Sequence, residues 1–107
     1  MAFNNSYPEK KINEITSNDT KLRVLGFIVD KNDDALIIDD GTGKMRIFVE
    51  SKELIDNFDI NQLVRVFGNL IAIDQDVELR SDIIQDMSNF DLELHKKTIE
   101  LYDKLGV

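Results

Sequence analysis

The chain contains no cysteine. That excludes disulfides, thiolate-ligated zinc and thiol nucleophiles, and it suits an intracellular protein. Tryptophan is also missing, and there is a single proline and a single histidine, His95. One histidine on its own supports neither a Ser-His-Asp set nor a histidine-ligated metal. No apolar run approaches the ~18–20 residues that a membrane-spanning helix needs. The start, MAFNNSYPEKK, lacks the basic-then-apolar arrangement of a secretory leader. Positive charge is scarce too: 13 Lys and Arg stand against 21 Asp and Glu, a net charge of −8. A free-standing nucleic-acid binder is usually basic, because phosphate neutralisation supplies much of its affinity. Any such role here is therefore local, weak or shared with a partner. No enzyme, cofactor or metal is expected.

What remains fits one domain over 107 residues with a modest core. Residues 1–10 are polar apart from Phe3 and Tyr7 and are expected to be mobile. Ile12 and Ile15 are three apart, as in a short strand or one helical turn. Five strand-like runs follow, at Leu22–Asp30, Ala35–Asp39, Met45–Glu50, Leu63–Ile73 and Val77–Ile84. Between the third and fourth, SKELIDNFDIN is amphipathic, and Ser51 can cap one or two helical turns. LRVLGFI (22–28) and VRVFGNL (64–70) share a pattern, with Val24 and Val66 on one face and Arg23 and Arg65 on the other. A mid-strand glycine signals a bend or a close backbone approach, as a small curved barrel requires.

The period changes at Ser88. Residues 88–105 read as a helix, with Ser88 and Asp91 placed as a variant capping box. Phe90, Leu92, Leu94, His95, Thr98, Ile99, Leu101, Tyr102 and Leu105 share an arc of roughly 200°, wider than the ~100° stripe that one packing surface occupies. Two readings follow: a helix shared with a partner, or one sunk into its own barrel.

The stretch IIDDGTGKMRIFV (37–49) ends a glycine-rich turn in Lys44 and suggests a phosphate loop. The first glycine of that motif is absent, Met45 replaces its Ser or Thr, and a strand pattern follows in place of a helix. The stretch is therefore expected to be a hairpin. Centring the turn on Thr42-Gly43 pairs Ile38 with Ile47 and Leu36 with Val49 inward, and Asp39 with Arg46 and Ile37 with Phe48 outward. An outward aromatic beside Arg46 and Lys44 is what a base-stacking platform needs. The other reading is that Phe48 packs under the C-terminal helix or the N-terminal segment. The acidic pairs at 33–34, 39–40 and 74/76 lack the ordered spacing of a calcium loop and suit turns.

With these residues in place, the chain resembles the OB domain of the second subunit of replication protein A, and also the related subunit of the telomere-capping complex. LRVLGFIVDKND, IIDDGTGKMRIFV and IIQDMSNFDLELHKKTIELYDKL carry the resemblance, which spans about residues 12–105. It implies a β fold: a five-stranded OB barrel with a short helix between strands three and four and a C-terminal helix. It also implies a subunit of a single-stranded-DNA-binding complex. DNA would be contacted weakly through Phe48, with Lys44, Arg46, Arg65 and Arg80 as the nearby cations. Ile73 falls where the family has its second stacking aromatic. Phe90, Leu94, Leu101, Tyr102 and Leu105 would bind other OB-fold subunits in a helical bundle. The location implied is the nucleus in a eukaryote or the cytoplasm in a prokaryote. The alternative is an OB module that binds proteins and no nucleic acid. The loops at 30–34 and 74–76, which flank an OB binding face, are both acidic.

Overall fold

The computed structural model describes residues 7–73 and 76–88. Its strands are β1 (Lys21–Lys31), β2 (Ala35–Asp39), β3 (Lys44–Phe48), β4 (Leu63–Ile73) and β5 (Asp76–Asp86). They close into a barrel in the order β1-β2-β3-β5-β4. Neighbours are antiparallel except at the β3–β5 seam, which is parallel and pairs Ile47 with Leu79 and Phe48 with Arg80. β1 serves two neighbours. Lys21 to Phe27 pair with β4, and Phe27 to Lys31 pair with β2.

Alternation builds the interior. Leu22, Val24 and Ile28 of β1, Leu36 and Ile38 of β2, and Met45 and Ile47 of β3 point inward, with Val64, Val66 and Leu79 from β4 and β5. Val24 and Val66 are direct cross-strand partners, both fully buried. Each buried aliphatic side chain contributes about 1.5–3 kcal/mol of hydrophobic free energy. A small barrel must coil sharply, and two irregularities let it do so. The register shifts between Ile28 and Asp30 on β1, and between Phe67 and Gly68 on β4, where Asp82 is the extra residue on β5. Helix α1 (Lys52–Asp56) plugs the core with Ile55, and the Ser51 hydroxyl accepts from Leu54 N–H at 3.4 Å as its cap.

The β2–β3 hairpin differs from the expected register. Leu36 pairs with Ile47, Ile37 with Arg46, Ile38 with Met45 and Asp39 with Lys44. The inward set is kept because the slip is two residues. Its cause is the turn. The Asp39 carboxylate accepts from Gly41 N–H and the Asp40 carboxylate from Thr42 N–H, each at 2.8 Å. Gly41 takes φ +90, the left-handed region that glycine tolerates. These Asx turns end the ladder earlier than a turn centred on Thr42-Gly43 would. The other oxygen of Asp40 accepts from Ile12 N–H at 2.7 Å, and Thr42 Oγ1 accepts from Asn13 N–H at 3.2 Å. The hairpin tip is thereby clasped to a 3-10 turn at Ile12–Glu14, and Asp40 is occupied in holding it.

Residues 1–6 of the segment expected to be mobile lie outside the described residues. From Tyr7 onward the chain runs along β1. Arg23 N–H donates to Pro8 O at 3.0 Å, and Lys10 N–H donates to Arg23 O at 3.1 Å. The Tyr7 ring meets Phe67 edge-on, with centroids 5.5 Å apart. Its hydroxyl donates to Asp82 Oδ2 at 2.9 Å.

That hydrogen bond, with burial and the nearby carboxylate charge, raises the Tyr7 pKa above its ordinary value of 10.0. A phenol whose folded pKa exceeds its unfolded one adds stability that is complete below pH 10.0 and is lost as pH rises through the folded value. Wild type should therefore be more stable than Tyr7→Phe at neutral pH, and the gap should close in alkali. Urea melts across the alkaline range test this, and a gap independent of pH would rule it out.

Candidate nucleic-acid interface

Phe48 is the last residue of β3, opposite Ala35 on one side and Arg80 on the other. The strand's alternation turns it outward, since Ile47 fills the core. Its backbone is fixed by the Ser81 hydroxyl, which donates to Phe48 O at 3.0 Å. The ring is half-buried and forms part of an open groove of about 440 Å³. Ile73 and Val77 supply the other apolar walls, and Asp34, Asp76 and Glu78 form the rim with Arg46. Ile73 is 46% exposed.

Arg46 lies two residues before Phe48 on the same face. Its guanidinium is held from both sides, by Asp34 at 3.0 Å and by Glu78 at 3.2 Å. Arg80 is paired with Glu50, which raises its pKa further by a hydrogen bond and by charge. Lys44 is exposed near the hairpin tip, opposite Asp39, and makes no ion pair among the described residues. The expected Asp39–Arg46 pair is replaced by Asp39 opposite Lys44.

Lys44, Arg46, Phe48 and Arg80 are thus brought onto the paired strands β3 and β5. Arg65 is on β4. It lies opposite Leu25 and Gln85, and Gln85 is five residues along β5 from Arg80, roughly 17 Å at ~3.3 Å per residue. The proposed partner residues Phe90, Leu94, Leu101, Tyr102 and Leu105, with His95 and the helix that would carry them, lie outside the described residues. Ser88, the expected cap, is described: its backbone N–H and its hydroxyl both donate to Asp86 Oδ1.

Sequence reasoning missed Glu78 and Val77 as neighbours of Phe48, and placed Asp34 only in an acidic loop flanking the binding face. A signal existed for Glu78. Once Phe48 pairs with Arg80 in parallel, the residues two earlier, Arg46 and Glu78, fall side by side with opposite charge. Among the described residues no three acidic or histidine side chains gather as a metal site, and no helix is long and apolar enough to cross a membrane.

A closed five-stranded barrel in this strand order, with a short helix between β3 and β4, is an OB-like fold. No protein-family model matches the chain, and no curated protein matches it in sequence. Solved structures do match. The telomere capping protein Ten1 from Saccharomyces pombe is similar with a TM-score of 0.69 at 19% identity, over 92% of this chain and 99% of that one. A chain of the S. pombe Stn1–Ten1 complex gives 0.61 at 20% identity, over 80% and 73%. A chain of a replication protein A heterotrimer bound to single-stranded DNA gives 0.57 at 20% identity, over 81% and 73%. The resemblance to replication protein A and to telomere-capping subunits is present in the fold as well as in the sequence motifs.

Proposed function

We propose that the chain is a non-enzymatic OB-fold subunit of a single-stranded-DNA-binding complex of the replication protein A or Stn1–Ten1 type. Its main role is assembly, and its own DNA contact is weak. One observation carries the reading: the aromatic on the OB face is present, but the arginines around it are held by carboxylates. Phe48 can stack a base. Arg46, engaged by Asp34 and Glu78, has little charge left for a phosphate. Lys44 remains for that purpose. The similarity in fold to Ten1 and to a chain of the Stn1–Ten1 complex supports a subunit role. The C-terminal segment, with its wide apolar arc, is the assembly element in this reading. Other OB-fold subunits are its partners, and the nucleus is its location in a eukaryote.

Two measurements test it. Titration of oligothymidylate at low salt should give micromolar or weaker binding by the isolated chain, and nanomolar binding would overturn the weak-contact half. Co-expressed with a candidate OB-fold partner, wild type should sediment as a complex, and the Leu94→Asp/Leu101→Asp variant should not. Complexes that survive the double substitution would overturn the assembly role of that segment.

A further inference from the structure

We propose that the groove floored by Phe48 receives, in preference to a nucleic-acid strand, a cationic segment of a partner protein, one in which Arg or Lys alternates with an apolar residue. This goes beyond the assembly reading above, which places the partner contact on the C-terminal segment.

Charge complementarity over an apolar floor favours such a segment. Three carboxylates, Asp34, Asp76 and Glu78, face one guanidinium in the groove, and Arg46 is already engaged by two of them. The Asp34 side chain is 59% exposed and Asp76 is exposed, so both present charge to an incoming ligand. Nothing in a groove of this size lies far beyond one Debye length, about 8 Å at physiological salt, from those charges. A phosphate approaching Phe48 meets net repulsion, whereas a guanidinium or ammonium meets attraction. The floor suits the same ligand. A guanidinium can lie against the exposed face of Phe48, and Ile73 and Val77 offer apolar surface to the residues between the cations. In an extended segment every second side chain points the same way, roughly 6.6 Å apart, so successive basic residues can reach opposite parts of the rim. At about 440 Å³ the groove takes a few side chains and not a domain.

The test is fluorescence anisotropy on the full chain with three probes: a short alternating arginine–leucine peptide, the matching glutamate–leucine peptide, and oligothymidylate. The arginine peptide should bind, weaken with salt and outcompete oligothymidylate, and the glutamate peptide should not bind. Phe48→Ala, and separately Asp34→Asn/Glu78→Gln, should each weaken the arginine peptide about tenfold. The carboxylate variant should strengthen oligothymidylate binding, because it frees Arg46. Asp34→Asn alone, at an exposed position, keeps the test valid if the double variant fails to fold. Glu53→Gln/Asp56→Asn on α1 lowers the chain's acidity equally and should change nothing. Oligothymidylate binding tighter than the arginine peptide would overturn the proposal. So would peptide binding that is insensitive to the groove substitutions, or reduced equally by the α1 pair. Any of these results would leave the C-terminal assembly role standing, because sedimentation tests that role separately.

Discussion

Gly68→Val should destabilise the barrel by about 3 kcal/mol or more. A Cβ at Gly68 would sit 2.2 Å from Arg80 O and 2.9 Å from Arg80 C. Both are backbone atoms, so no side-chain rotation relieves the clash. Arg80 cannot retreat freely. It is paired with Asn69 on β4 and with Phe48 on β3, and the next residue, Ser81, is bonded to Phe48 O. Widening the β4–β5 gap at Gly68 therefore pulls on the parallel seam and on the groove floor together. A domain of this size is stable by ~5–15 kcal/mol, so the loss is a large fraction of the total. Gly41 is the internal control. A Cβ there meets nothing within 4 Å, and only its φ of +90 opposes a side chain. Gly41→Ala should cost about 1 kcal/mol. Urea midpoints of the two variants against wild type decide the matter. A Gly68→Val protein within about 1 kcal/mol of wild type would mean that β4 and β5 do not approach this closely.

The shared RVxG pattern of β1 and β4 is what made the barrel legible. Its valines pair in the core, and each glycine lies where a neighbouring backbone closes in, Asp39 O at 2.9 Å from a Cβ on Gly26 and Arg80 O on Gly68. Strand placement and the inward set followed from alternation alone, because burial on one face enforces it. Hairpin register was not legible in that way. It depends on which carboxylate caps which N–H, and two adjacent Asp residues offered more than one answer. Phe67 shows a second limit. Alternation puts it outside the barrel, opposite in sense to Val66, yet it is 2% exposed because Tyr7 covers it. No local period encodes a contact made by a strap 60 residues away in sequence.

The candidate site divides in the same manner. That Phe48 and Arg46 share an outward face is a property of one strand and could be read from it. That Arg46 is neutralised is a property of three segments, the 32–34 loop, β3 and β5, which meet only when the barrel closes. The acidity of the two flanking loops was visible in sequence, but its consequence for Arg46 was not. This matters for function, because the same residues read one by one describe a stacking platform with basic neighbours. Read together they describe an aromatic inside an acidic rim.

Ile47→Ala should cost about 3–4 kcal/mol and should act first at the seam. Ile47 is fully buried, opposite Leu36 on β2 and Leu79 on β5. Removing its branch leaves a cavity between strands that the rest of the barrel holds apart, so little collapse is available to offset the lost contacts. The β3–β5 ladder has two register pairs, whereas β1–β4 has seven. The seam is thus the part of the sheet with the least backbone pairing to spare. Native-state hydrogen exchange should show the amides of Ile47, Leu79 and Arg80 accelerating more than that of Val24, whose strand pairing with β4 is untouched. Phe48 rides on the same two pairs, so ligand binding in the groove should weaken in this variant even below its melting range. Uniform acceleration across the barrel would indicate that the seam is not a separate weak point. A stability loss under about 1 kcal/mol would mean that the core closes over the deletion. In either case the groove floor would owe its position to contacts other than those of Ile47.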